Sequence, residues 1–163
     1  MRTFRIILAD DEPNILYGMQ KGLDWERLGF SVVGTAQNGK EVLELMEEFH
    51  TDLVISDIKM PFMDGFTMGK HLMRTHPGVK LIIFSGFDEF QYAKEAIKLN
   101  VVEYILKPVN AQELTQIFTR VRESLDEEIA QRRNIARLTA AYEQSLPLLR
   151  EQYLSALIGG NLT

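Results

Sequence analysis

Asp10, Asp11, Asp57, Ser85 and Lys107 each stand where an apolar run meets a loop. Taken singly, an aspartate in such a place is a turn or capping residue, Ser85 before Gly86 is a turn, and Lys107 before Pro108 is a strand end. Taken together, three carboxylates, a hydroxyl and an ammonium have a chemistry of their own. Gathered carboxylates repel one another, and a hard divalent cation with oxygen ligands, Mg²⁺, offsets that repulsion. Lys107 adds a further positive charge. The set suits phosphoryl transfer: cation and ammonium hold phosphoryl oxygens, the hydroxyl donates to another, and a carboxylate attacks phosphorus. Asp57 stands alone whereas Asp10 and Asp11 form a pair, so Asp57 is the expected nucleophile and an aspartyl phosphate the expected product.

That chemistry requires elements that bring distant residues together. Apolar runs at 4–9, 31–36, 53–56, 79–84 and 101–106 read as strands, and runs such as "RIILAD" and "KLIIFS" are continuously apolar, as in strands buried on both faces. Between them lie helical patterns. Residues 13–28 carry Ile15, Leu16, Met19 and Leu23 at helical spacing after Pro13. Asn38 is placed to cap a helix bearing Val42, Leu43, Leu45, Met46 and Phe49. Asp64 or Gly65 opens a third helix through Leu72 and Met73, Asp88 caps a fourth, and a long helix starts near Ala111. Strict alternation predicts an α/β fold with a five-stranded parallel sheet and helices on both faces. With a flavodoxin-like strand order, 2-1-3-4-5, the carboxyl ends of strands one, three and four are adjacent, and Asp10, Asp11, Asp57, Ser85 and Lys107 converge on one edge.

The totals bound the rest. The chain has 163 residues, 45% hydrophobic and 25% charged, enough for one domain with an appendage. There are no cysteines, which excludes disulfides and thiolate metal sites. A net charge of −5 argues against this chain alone gripping nucleic acid. His50, His71 and His76 lack metal-ligand spacing. Asp24, Asp52 and Asp64 read as caps or loop residues, and Met60, Met63, Met68 and Met73 as packing. No run reaches the roughly 18 apolar residues of a membrane span, and no signal peptide is legible, so a cytoplasmic location is expected.

The stretches "LADDEP", "LVISDIKMPFMDG", "IIFSG" and "YILKPV" resemble the receiver domain of bacterial two-component response regulators. The likeness covers residues 1–125. It implies that Asp57 accepts a phosphoryl group from a sensor histidine kinase. It also implies that Asp10, Asp11, Asp57 and the backbone carbonyl of Lys59 hold Mg²⁺, that Ser85 is a switch hydroxyl, Tyr104 a switch aromatic and Lys107 a partner of the phosphoryl oxygens. The Lys107–Pro108 peptide is similar to one that is cis in that family. "DWERLGFSVVGTAQNGKEVLE" and "SGFDEFQYAKEAI" resemble the subfamily whose output is an AraC-type DNA-binding pair. The residues after Leu125 (126–163) number too few for such an output, and they carry net charge −1. They are expected to be a helical linker of a chain cut before its DNA-binding domain, so DNA is expected to be met only through that missing part.

In this reading the switching face is made by the fourth helix, the fifth strand and the fifth helix, and a homodimer forms there or through the C-terminal helix. Leu125, Ile129, Ile135, Leu138 and Tyr142 give that helix an apolar stripe interrupted by Arg132, which suits a coiled-coil seam or a linker packed on an output domain. Pro147 is expected to kink or end the helix, with a short second helix stopped by Gly159 and Gly160. Three other classes compete with this reading. An aspartate-nucleophile, Mg²⁺-dependent phosphohydrolase would need a substrate pocket that these short loops do not build. A nucleotide binder would need a glycine-rich loop after the first strand, where acids stand instead. A phosphorylation-independent dimeriser would leave the intact acid set without a use.

Overall fold

A computed structural model describes residues 2–86, 90–107 and 110–158, without the side chains of Phe90 and of 146–158. Five parallel strands, β1 (Phe4–Ala9), β2 (Phe30–Ala36), β3 (Leu53–Ser56), β4 (Lys80–Ser85) and β5 (Glu103–Leu106), form one sheet in the order β2-β1-β3-β4-β5. This is the predicted order. β4 and β5 begin one and two residues later than the apolar runs suggest, and β2 one residue earlier.

The helices are α1 (Pro13–Gly22), α2 (Trp25–Leu28), α3 (Gly39–Glu48), α4 (Gly65–Thr75), α5 (Phe90–Lys98) and α6 (Ala111–Ile158). The single helix expected over 13–28 is two. Leu23 and Trp25 both turn into the core, at 8% and 5% exposure, which a continuous helix does not allow here. Asp24 starts the second piece by accepting from the Arg27 N–H, and Gly29, at φ 90°, ends it in the left-handed conformation that suits glycine. Asn38 and Asp64 cap α3 and α4 as expected, accepting from Glu41 and Thr67 N–H groups at 2.9 and 2.7 Å. Asp52 is a loop residue that accepts from the Arg5 N–H and the Arg2 guanidinium. Met60 and Met68 are buried, while Met73 is half exposed rather than packed away.

Alternation along the strands sorts the core. Ile7, Ala9, Val54, Leu81 and Ile83 join Val42 and Met46 of α3, Phe66, Met68 and Leu72 of α4 and Ala96 of α5. On the opposite pleat Phe4 and Phe30 meet Trp25 of α2 and Phe118 of α6, with ring centroids 4.9–6.3 Å apart. Helices therefore cover both faces.

The chain divides into two compact units, Met1–Val121 and Arg122–Thr163. Within the second, Arg122–Asp126 and Arg132–Glu128 pair one turn apart, at 3.0 and 2.7 Å, and support an exposed helix. The helix runs through Pro147 to Ile158 as one element instead of ending there. A proline removes one backbone donor, and the helix continues past the gap. The expected Asp88 cap, the Pro108 peptide, the Gly159–Gly160 stop and the side chains of Leu148, Leu149, Leu154, Leu157 and Ile158 lie outside the described residues. Among the described residues no helix is long and apolar enough to cross a membrane.

Candidate functional site

Asp10, Asp57 and Lys107 each follow a strand but are still tied to the neighbouring strand. Asp10 N–H donates to Ala36 carbonyl at 3.0 Å, Asp57 N–H to Ala9 carbonyl at 2.9 Å, and Lys107 N–H to Ser85 carbonyl at 2.8 Å. The ladder thus reaches one residue past the regular sheet at three places. It fixes the backbone of three functional residues while the chain is already turning away.

Their side chains meet. The Lys107 ammonium lies 2.7 Å from Asp10 Oδ2 and 3.4 Å from Asp57 Oδ2, although 97 and 50 residues separate the pairs in sequence. Asp10 is almost fully buried, the Asp57 side chain is 12% exposed, and Lys107 is 18% exposed. The same ammonium stands 5.2 Å from the centroid of the Phe84 ring, whose face favours a cation. Asp10 Oδ1 accepts from the Glu12 N–H at 2.9 Å, and Asp57 Oδ1 from the Ile58 N–H at 2.7 Å.

Asp11 is exposed and completes the acid group: one carboxylate oxygen from each of Asp10, Asp11 and Asp57 lies within 4.8 Å of the others. Burial pushes the Asp57 carboxyl above its ordinary value of 3.8. The Lys107 charge opposes that rise, the Asp10 charge adds to it, and hydrogen bonds from Ile58 and Lys107 oppose it. An acid left in this condition is under-compensated. When all four groups are ionised, three carboxylates against one ammonium leave two negative charges uncompensated. Hard oxygen donors at that spacing, partly open to water through Asp11, fit Mg²⁺. Among the described residues no other group of three or more acids or histidines has this spacing.

Ser85, the last residue of β4, is fully buried at the same edge. Tyr104 sits three residues before Lys107 on β5, opposite Ile83 in register, and is half-buried. It borders a cavity of about 380 Å³ shared with Ala93, Ala96 and Ile97 of α5. Lys59 lies in the loop after Asp57 with its side chain exposed. The structure therefore gathers Asp10, Asp11, Asp57 and Lys107 into one cluster, puts Ser85 at its edge, and sets Tyr104 back against α5.

Two contributors were not anticipated. Gly65, read only as a helix start, packs so closely that an added Cβ would stand 2.2 Å from the Asp57 carbonyl oxygen. Its N–H donates to the Ile58 carbonyl at 2.8 Å. The signal was there: a glycine in the first turn of a helix costs stability unless backbone approach requires it. Phe84, read as core, supplies the ring beside Lys107, and nothing in an apolar run marks one ring as facing an ammonium.

A parallel sheet with an acid cluster and a lysine at its carboxyl edge is a frame for phosphoryl chemistry. Residues 6–119 match the response regulator receiver domain family, and the chain belongs to it. It is 40% identical over 157 residues to the transcriptional regulatory protein YesN of Bacillus subtilis (strain 168), covering 96% of this chain and 43% of that protein. It is 33% identical over 150 residues to the transcriptional regulatory protein HptR of Staphylococcus aureus (strain NCTC 8325 / PS 47), covering 92% and 58%. The REC domain of AraT, a response regulator from Geobacillus stearothermophilus, superposes with a TM-score of 0.72 at 38% identity, over 77% of this chain and 98% of that one. The chain spans about half the length of the curated relatives it matches. As a receiver domain it serves two-component signalling, in which phosphorylation on an aspartate and contact with sensor histidine kinases are general for the family. The family match sets aside the phosphohydrolase alternative.

Proposed function

We propose that Asp57 accepts a phosphoryl group from a sensor histidine kinase and that the altered charge switches the face built by α5, β5 and α6. The observation that carries this reading is the Lys107 ammonium held between the Asp10 and Asp57 carboxylates at the carboxyl edge of the sheet. In the transfer, an Asp57 carboxylate oxygen bonds to phosphorus as the bond from phosphorus to the donor imidazole nitrogen breaks, and the electron pair stays on the ring. Lys107 is positioned to follow the new charge from carboxylate to phosphoryl oxygen. Asp10, Asp11, Asp57 and the Lys59 carbonyl would hold Mg²⁺, which supplies positive charge to the phosphoryl oxygens. Ser85 donates its hydroxyl to a phosphoryl oxygen, and Tyr104 turns into the space beside α5. The subfamily motifs and the longer transcriptional regulators that this chain resembles support an AraC-type DNA-binding output in the whole protein, acting in the cytoplasm. Dimerisation through the α5-β5-α6 face or the extended α6 then brings two outputs together, and DNA is touched only by them.

Acetyl phosphate labelling tests this directly. Wild-type protein with Mg²⁺ gains one acid-stable, base-labile phosphoryl group by intact mass. Asp57→Asn, or removal of Mg²⁺, abolishes it, and labelling that persists in Asp57→Asn refutes the assignment. Lys107→Ala keeps the fold but loses the dimer shift on phosphorylation. A normal shift in that variant counts against the switch.

A further inference from the structure

The loop between Asp57 and α4 is pinned from two sides. On one side Gly65 N–H donates to the Ile58 carbonyl at 2.8 Å. On the other, Gly39, the first residue of α3, donates its N–H to the Met63 carbonyl, also at 2.8 Å. The two pins enclose Lys59, whose carbonyl is the backbone oxygen proposed to meet Mg²⁺. Between them Phe62 sits at φ 66°, a conformation that a side chain of this size keeps only where its surroundings dictate it.

The start of α3 is shaped for that contact. The first N–H groups of a helix have no acceptor within it. Asn38 takes that of Glu41 at 2.9 Å, the Glu41 carboxylate takes that of Gln37 at 2.9 Å, and Gly39 gives its own to the loop. Gly39 is buried. An added Cβ would stand 2.8 Å from Met63 Cγ, 2.8 Å from Met68 Cβ and 2.9 Å from the Met63 carbonyl oxygen. Any side chain here therefore pushes away the very group that the Gly39 N–H bonds.

We propose that Gly39 is a positioning residue for phosphoryl transfer: α3 braces the loop after Asp57 and so fixes the Lys59 carbonyl for Mg²⁺. The inference rests on the cation reading and gives Gly39 a part in it. Gly39 acts through the loop and touches neither cation nor phosphoryl group. With the brace in place the loop keeps its strained shape before the cation arrives. Without it Phe62 relaxes out of the left-handed region, the peptides around it turn, and part of the cation's binding energy goes into restoring the loop. Groups that orient a metal ligand from behind are worth about ten- to a hundredfold in affinity. Coupling is reciprocal, so the cation tightens the Gly39–Met63 bond by the same factor.

Mg²⁺ is titrated into the metal-free protein while the amide resonances of residues 57–65 are followed by NMR. Gly39→Ala raises the Mg²⁺ concentration at half-saturation about tenfold. Acetyl phosphate labelling shows the same split: the Mg²⁺ needed for half-maximal rate rises about tenfold, and the rate at saturating Mg²⁺ stays within about twofold of wild type. Val42→Ala hollows a fully buried position in the same helix, lowers the urea midpoint and leaves half-saturation at the wild-type value. In wild type, saturating Mg²⁺ slows hydrogen exchange of the Gly39 amide about tenfold, a reading that needs no variant to fold. The Phe49 amide, bonded to Leu45 at the other end of α3, is unchanged. Half-saturation unmoved by Gly39→Ala, moved as far by Val42→Ala, or a Gly39 amide that exchanges alike with and without Mg²⁺ would overturn the brace. Wild-type resonances that Mg²⁺ never moves would instead overturn the cation reading.

Discussion

Gly65→Ala is the sharpest perturbation of the site that leaves every charged side chain in place. A methyl at this position would lie 2.2 Å from the Asp57 carbonyl oxygen, 3.2 Å from its carbon and 3.2 Å from Ser56 Oγ. The first of these is roughly 1 Å inside van der Waals contact, and the atom met is backbone, not the end of a flexible side chain. The Asp57 peptide cannot yield freely. Its N–H is bonded to Ala9, its carbonyl accepts from the Ser56 hydroxyl at 2.7 Å, and Gly65 N–H is bonded to Ile58. Either the start of α4 withdraws or the Asp57 backbone shifts by about 1 Å, and overpacking of this kind costs about 1–3 kcal/mol. A misplacement of about 1 Å at a reacting group costs on the order of a hundredfold in rate.

The expected outcome is a one- to two-decade fall in the initial rate of acetyl phosphate labelling, with urea unfolding shifted by about 1–3 kcal/mol. Gly18→Ala is the internal control. A Cβ there meets nothing within 4 Å, and the position is inside α1, so the variant gains up to about 1 kcal/mol from helix propensity and labels normally. The same chemical change thus acts with opposite sign at two glycines. If Gly65→Ala unfolds and labels like wild type, the close approach of α4 does not position Asp57.

Asp57→Asn also reports on charge. The folded carboxyl titrates above 3.8 because burial outweighs Lys107, so the folded state binds the proton more tightly than the unfolded state. Below 3.8 the acid is protonated in both states and carries no cost. As pH climbs through the raised folded value the cost grows, and above it the cost is constant. In metal-free buffer the Asn variant therefore melts higher than wild type at neutral pH, by a margin that shrinks toward pH 4; thermal melts in EDTA check this. Phe62 is 92% exposed at φ 66°, in a turn closed by Met63 N–H donating to Pro61 carbonyl at 2.7 Å. Phe62→Gly is expected to be more stable than Phe62→Ala by about 1 kcal/mol in chemical denaturation, the reverse of the usual order. Phe118→Ala removes a ring 1% exposed that packs edge-on to Trp25 and Phe30, and costs about 3–5 kcal/mol by urea unfolding.

What the sequence made legible followed from periodicity and from chemistry repeated at strand ends. Runs such as Phe4–Ala9 and Leu53–Ser56 have one reading, and the residue after each is fixed at the sheet's carboxyl edge by topology. The acid cluster was thereby readable before any coordinate. The break between α1 and α2 was not, because Leu23 continues the helical spacing of Ile15, Leu16 and Met19 and so hides the stop before Asp24. The run through Pro147 was missed because proline removes one donor without forcing a stop. The contact of Gly65 with the Asp57 carbonyl joins residues eight apart through a loop. A residue's spacing says which face it takes, and nothing about how near another backbone comes.

The charges explain why so much of the edge is conditional. With the acids ionised, Lys107 is divided between Asp10 and Asp57, and the nearer partner is the more deeply buried one. Asp10 keeps its claim whatever happens at Asp57, since a buried carboxylate without a cation is strongly disfavoured. If Asp57 is phosphorylated as proposed, charge is added where the resident ammonium is already committed, so either Lys107 leaves Asp10 or Mg²⁺ held by the same acids meets the added charge. Lys107→Ala should then lower the urea midpoint of the metal-free domain more than that of the domain saturated with Mg²⁺, and an equal loss in both would refute this division of charge.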